Sequence, residues 1–321
     1  MRRSTFLKSS AAAGLGTALL PYDIMAKNLL NEGILDAIGI QLFSLPKMLE
    51  TDFESGMKML VQMGYTEIEL FGPFSFSSKS AHDRWNAVTP MLGFNGSGFF
   101  GRKANEIQAI LNDYELKTPS IHTDLDTLEN HIDRFEEAAE VLGFEYVVLP
   151  AIPEERRKSM DDYKEMADTF NSIGAKAKKM GLKFAYHNHG YGLNTVDGEV
   201  PFEVMMNNTD PDLVFLEMDV FWTIAGKAEP ESYLEKYSGR YRCMHLKDMK
   251  EQKTFSGDGG DASQWIALFP NMASAGDGII DFKTLIRAAK KHGVKHFFVE
   301  QDMVQNPKVA LKKSFDHLSA L

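Results

Sequence analysis

From residue 33 onward, apolar positions along the chain follow two alternating periods. Short runs rich in Ile, Val, Phe and Tyr are separated by longer stretches with apolar residues at helical spacing. The short runs read as eight strands: 37–43 (AIGIQLF), 66–72 (TEIELFG), 118–124 (TPSIHTD), 145–151 (EYVVLPA), 182–188 (LKFAYHN), 212–219 (DLVFLEMD), 240–246 (RYRCMHL) and 295–301 (KHFFVEQ). Stretches 52–64, 127–143, 160–181 and 281–293 read as helices, each ending on a glycine just ahead of the second, fourth, fifth or eighth strand. In the second of these, Leu128, Ile132, Phe135, Ala139 and Leu142 lie near helical spacing. Eight β–α units predict an α/β protein, a (β/α)8 barrel over 34–321 as one domain. An open doubly wound sheet is the alternative, but it would need a phosphate-binding glycine loop, and FSLPKM after the first strand is not one.

Two stretches interrupt the rhythm, 73–101 after the second strand and 250–280 after the seventh. As βα loops they belong on the catalytic face of a barrel, and their aromatic, glycine and serine content suits a substrate cover.

The first residues follow a different pattern. Arg2, Arg3 and Lys8 precede a mildly apolar stretch at about 11–20 that is rich in alanine and glycine. Residues 1–27 therefore read as an export signal, too short to span a membrane. The pair Arg2–Arg3 followed by Phe6, Leu7 and Lys8 resembles a twin-arginine signal, with one extra residue before the phenylalanine. A periplasmic or otherwise exported protein is expected in preference to a cytoplasmic one. No cysteine follows the apolar stretch to carry a lipid, and no other segment is apolar enough to cross a membrane.

Composition narrows the chemistry. The net charge of −10 over 321 residues disfavours nucleic acid or an anionic membrane as the main partner. Cys243 is the only cysteine, which excludes an internal disulfide and a cysteine-based zinc cluster. Any metal must use His, Asp and Glu, a donor set suited to Mn, Mg, Co or Zn.

The C-terminal ends of barrel strands converge on one site. Those ends carry Gln41, Glu69, His122, the pair His187 and His189, Glu217 with Asp219, His245 with Lys247 and Asp248 beyond it, and Glu300 with Asp302 beyond it. Each could be structural by itself. Together, at the ends of successive strands, they suggest a divalent cation, because buried carboxylates need a partner. Alternation along a strand lets His187 and His189 face the same side.

The stretches 216–249 (LEMDVFWTIAGKAEPESYLEKYSGRYRCMHLKDM), 276–282 (GDGIIDF), 294–302 (VKHFFVEQD), 186–190 (YHNHG) and 64–72 (GYTEIELFG) resemble the xylose isomerase-like barrel family of sugar phosphate isomerases and epimerases. The resemblance covers nearly all of the chain after the signal. It implies a divalent ion, commonly Mn²⁺, held by Glu, Asp, His and Glu from strands five to eight. Asp219, His245 and Glu300 match the last three. Many relatives read Glu-Asn-His on strand five where this chain has His187-Asn188-His189, so His187 stands in the glutamate's place. Proton transfer, the work of two ligand glutamates in the family's epimerases, would pass to Glu300, His189, Glu69 or His122. Gln41, Glu217, Lys247 and Trp222 are expected to contact substrate.

The expected activity is isomerisation or epimerisation of a carbohydrate or keto-sugar through a metal-stabilised enediolate. One alternative is a metal-dependent lyase or hydratase acting on 3-keto-glycosides, and another is a carbohydrate-binding barrel without catalysis. An endonuclease is disfavoured by the acidic charge. The expected partners are a small carbohydrate and, in a homo-oligomer, further copies of the chain.

Overall fold

Helices hand the chain to strands at glycines. In the computed structural model, which describes residues 33–302 and 304–321, Gly64 and Gly143 have φ of 111° and 75°. Each closes a helix, Phe53–Met63 or Phe135–Leu142, with its backbone N–H bonded to a carbonyl of the last turn. Only glycine adopts this left-handed turn without strain. The expected export signal lies outside the described residues.

The strands are β1 (Gly39–Gln41), β2 (Glu67–Phe71), β3 (Lys117–His122), β4 (Tyr146–Leu149), β5 (Lys183–His187), β6 (Val214–Asp219), β7 (Tyr241–Leu246), β8 (Asp248–Met249), β9 (Met272–Ala273) and β10 (His296–Val299). β1 to β7 and β10 pair in parallel and close into a barrel, with β10 between β7 and β1. The two short strands β8 and β9 pair antiparallel beside it. This is the (β/α)8 barrel expected from the sequence. Helices Met160–Lys179 and Phe282–Lys291 also fall where the spacing places them.

Two local expectations change. The helix read over 127–143 is three pieces, Leu125–Asn130, a 3-10 turn Ile132–Arg134, and Phe135–Leu142. Asp124 accepts from the Thr127 N–H and starts the first piece early, and His131, at φ −142°, ends it. The interrupting stretches also hold helices of their own, Lys79–Leu92 within 73–101 and Ala262–Leu268 within 250–280. Pro90 in the last turn of the former hides it in the sequence.

Inside the barrel, side chains alternate with those facing the helices. A lower layer of Tyr146, Val148, Ala185, Cys243 and Phe298 fills the axis with apolar atoms. Phe298 leans over β1 where Gly39 has no side chain. A Cβ there would meet the Phe298 ring at 2.4 Å. Two residues further along the same strands, the interior becomes charged.

Candidate active site

Parallel register sets that charged layer. β5 and β6 pair His187 with Glu217, and β6 and β7 pair Asp219 with His245. Glu69 at the centre of β2 and His122 at the end of β3 enter the same layer, and Glu300 follows β10. His187, Glu217, Asp219 and Lys247 are each 1% exposed, and Glu69 and His245 are fully buried. Asn188 turns the other way, donating to Tyr186 Oη and the Tyr191 carbonyl, so His187 and His189 share the inner side.

The layer contains two linked groups. In the first, Glu217 Oε2 lies 2.6 Å from His122 Nε2, 3.0 Å from His187 Nδ1 and 3.5 Å from His245 Nε2. Glu69 Oε2 accepts from Gln41 Nε2 at 2.8 Å and lies 2.7 Å from His245 Nε2 and 3.1 Å from His122 Nε2. In the second, His245 Nδ1 lies 2.9 Å from Glu300 Oε2. Lys247 Nζ sits 3.0 Å from Asp219, 2.7 Å from Glu300 and 2.8 Å from Asp302. His245 joins the groups, one ring nitrogen in each.

Electrostatics settle who donates. Burial and Glu69 push the Glu217 carboxyl up, but His245 and His122 overcome both and hold it low. It is therefore a carboxylate, and His187 Nδ1 donates to it. Burial holds His187 well below the ordinary imidazole range, so the ring is neutral and Nε2 keeps its lone pair. That Nε2 is buried without a hydrogen-bond partner and lies 3.9 Å from Asp219 Oδ2. Burial opposes protonation of His122, yet Glu69 and Glu217 raise it to about 9. Burial also opposes charge on His245, and Glu217 and Glu300 raise it well above the ordinary value. Glu300 is held low against burial by Lys247 and His245. Burial raises Asp219.

The donor set fits a divalent cation. Asp219, His245 and Glu300 present ligand atoms within 4.8 Å of one another, as do His122, His187, Glu217 and His245. The orphaned Nε2 of His187 faces the first of these groups, and Glu217 fixes its tautomer from behind. Carboxylate support of this kind is the usual second partner of a metal-binding histidine.

A cavity of about 550 Å³ opens above the layer. Gln41, His122, His187, His189, Glu300 and Asp302 reach its wall. Glu69, Asp219 and His245 do not line it. Glu217, Lys247 and Trp222, expected to contact substrate, are likewise absent from its lining. Glu217 buttresses two histidines, Lys247 bridges three carboxylates, and Trp222 stacks on Phe255 at 5.7 Å with the Lys247 ammonium 5.4 Å from its ring. Burial, with a smaller contribution from Lys247, lowers His189 to about 3.

Sequence reasoning missed Trp85, Trp265 and Arg157 on the cavity wall. The tryptophans lie in the two interrupting stretches, where aromatic content is the only signal. Arg157 covers the Tyr191 ring at 4.0 Å and donates to the carbonyls of Ile152 and Gly260, tying the segment after β4 to the insertion after β7.

A profile of the xylose isomerase-like TIM barrel family matches residues 57–321. The chain belongs to this family. Solved structures share its fold. A sugar phosphate isomerase/epimerase from Parabacteroides distasonis aligns with a TM-score of 0.67 and 23% identity, over 88% of this chain and 93% of that one. The IOLI protein, solved with a bound zinc atom, aligns with a TM-score of 0.61 and 15% identity, over 88% and 98%. Among curated relatives, an inosose dehydratase of Lacticaseibacillus casei is 28% identical over 167 residues, 50% of this chain and 55% of the relative. The chain thus spans about half the length of the curated relatives it matches. The family, the barrel and a buried His/Asp/Glu cluster able to hold a metal are common ground between sequence and structure.

Proposed function

We propose that the chain is a divalent-metal-dependent lyase that eliminates a β-oxygen from a cyclic keto-polyol or keto-sugar. Isomerisation or epimerisation, placed first by the sequence resemblance, becomes the second reading. The observation that carries the change is His187. The resemblance implies two ligand glutamates that move the protons in the family's epimerases, and here a histidine locked by Glu217 stands in place of one of them. Glu300 alone remains, and His245 and Lys247 engage it. The curated relatives named inosose dehydratase support the same direction.

Asp219, His245, Glu300 and the free Nε2 of His187 would hold the ion. Mn²⁺ is the first choice, and Co²⁺, Zn²⁺ or Mg²⁺ suit the same donors. When bound, it supplies Lewis-acid polarisation of the substrate's carbonyl and hydroxyl oxygens. The protein's own groups move the protons. His189, on the cavity wall with Nδ1 unpartnered, takes the proton from the carbon beside the carbonyl. The C–H pair becomes the new C=C bond, and the β C–O bond breaks with its electrons on oxygen. His122, whose Nε2 is held between Glu217 and Glu69, has Nδ1 left to protonate that oxygen.

The test is turnover of the metal-loaded chain on keto-inositols and 3-keto-glucosides in D₂O. Loss of water or aglycone, read by mass and by enone absorbance, is expected. Recovery of only an epimer or isomer would overturn the lyase reading. His189→Ala should lower turnover by about 10²–10⁴-fold with metal content unchanged. Export belongs to the same proposal. Arg2 and Arg3 both changed to Lys should retain precursor inside the cell if the route is twin-arginine, and unchanged delivery would reject that route.

A further inference from the structure

The cavity is wider and more apolar than one hydroxylated ring needs. Its floor is polar, with Gln41, His122, His189, Glu300 and Asp302. Its upper wall is a collar of aromatic and aliphatic side chains, including Phe43, Phe71, Trp85, Val88, Ile152 and Trp265. At about 550 Å³ it falls within the range of clefts that enclose drug-sized ligands, about 300–1,000 Å³.

Both tryptophans are fixed. Trp85 donates its indole N–H to the Asn95 carbonyl at 2.8 Å and packs on Phe71 and Phe94 at 5.9 and 5.7 Å. Trp265 donates to the Gly259 carbonyl at 2.7 Å and lies 5.3 Å from the His189 ring and 6.3 Å from Tyr191. Neither indole N–H is free for a ligand, so each tryptophan offers the cavity ring carbon. The collar is also poor in cations. Arg84 and Arg157 line the cavity together with the acidic Asp124, Glu154, Glu155, Glu300 and Asp302, and Arg84 pairs with Glu155 at 3.8 Å. Arg157 already donates to two carbonyls and covers Tyr191. A phosphate would find repulsion there in place of the arginine fork that recognises it.

From the cavity's two-part lining we infer that the substrate is an uncharged, two-part molecule, a keto-sugar ring on the polar floor joined to an apolar planar group held by the Trp85 and Trp265 collar. This rests on the keto-sugar reading above and extends it to the leaving group, an aryl or similarly flat aglycone in place of a phosphate.

The test uses unreactive probes, so that binding is read apart from chemistry. Phenyl β-glucopyranoside, methyl β-glucopyranoside and glucose 6-phosphate are titrated into the metal-loaded full chain by calorimetry. The phenyl glucoside should bind about tenfold more tightly than the methyl glucoside, the scale of one aromatic contact plus its buried area. Glucose 6-phosphate should bind no more tightly than the methyl glucoside. Trp265→Ala should remove the phenyl preference and leave methyl glucoside affinity unchanged. Trp85→Ala should do the same, but Trp85 also packs on Phe71 and Phe94, so the wild-type ranking and Trp265→Ala decide the matter without it. Equal affinity for phenyl and methyl glucosides, tighter binding of glucose 6-phosphate, or no binding of any probe overturns the inference. Loss of water from a keto-inositol without an aryl preference would defeat the collar and leave the lyase reading standing. An aryl preference without turnover on any keto-sugar would do the reverse.

Discussion

Ala185 and His187 are two residues apart on β5, as are Cys243 and His245 on β7. The first of each pair belongs to the apolar lower layer of the barrel interior, and the second to the charged layer above it. Phe298 and Glu300 repeat the contrast at the end of β10. One strand therefore supplies both a plug and a site, separated by about 7 Å of extended chain. The plug carries stability through close packing, and its one side-chain polar oxygen, Tyr146 Oη, is buried without a hydrogen-bond partner. The site carries charge that packing alone would penalise, and its carboxylates, imidazoles and one ammonium offset much of that cost by pairing, while His187 Nε2 and one oxygen each of Glu69, Glu217 and Asp219 stay without a hydrogen-bond partner. The plug lies below the site, and the cavity opens at the strands' C-terminal ends.

The largest effect expected from separating the layers is at Asp219. Asp219→Asn should reduce metal affinity by more than the 10–100-fold that loss of a supporting residue costs, and turnover should fall with it. The fold should persist. Asp219 Oδ1 caps helix Val220–Ala225 by accepting from the Trp222 N–H at 2.9 Å, and asparagine caps as well as aspartate. Metal analysis with circular dichroism checks both parts. Full metal content would remove Asp219 from the ligand set.

Phe298→Ala is the matching change in the plug. Removing a fully buried aromatic ring costs about 3–5 kcal/mol of stability. Denaturant unfolding should show the loss, while the metal content of the folded fraction stays unchanged. A parallel loss of metal would mean that the site depends on the plug for its geometry.

The strands were legible because each is bounded by a glycine or turn and carries a short dense apolar run. The charged layer was legible for the same reason, since register in a closed parallel barrel brings strand ends together. What could not be read was depth. Glu217 and Asp219 sit on one strand facing one way, yet Glu217 lies behind His122 and His187 while Asp219 lies beside Glu300 and Lys247. Sequence spacing gives the side of a strand and not the partner across the axis. Trp85 and Trp265 were illegible as individuals because insertions have no period. Helix Leu125–Asn130 ended at His131 by a local φ change that apolar spacing, continuous through Ile132 and Phe135, does not report.

A smaller effect should come from Glu217→Gln. The amide still accepts from His187 Nδ1, but the negative charge shared with His122 is gone. Metal affinity should fall about tenfold, the lower end of the range for a supporting partner. Calorimetric titration with Mn²⁺ reads it. An unchanged affinity would mean that His187 does not need Glu217 to present Nε2.

The smallest effect lies at the foot of the barrel, where His296 Nδ1 lies 3.0 Å from Glu67 Oε2. This polar contact sits below the plug, and Tyr146 lies 5.9 Å from the His296 ring. Unlike the upper layer, it borders solvent, with side chains 17% and 11% exposed. Water therefore competes with the contact, and Glu67→Gln should cost about 1 kcal/mol or less. The amide oxygen keeps the hydrogen bond from His296 Nδ1, which limits the loss further. Unfolding by urea should detect the change, and metal content and turnover should match the unaltered protein. If metal affinity falls with Glu67→Gln, charge at the foot reaches the mouth through the apolar layer, and the plug is a coupling element as well as a floor.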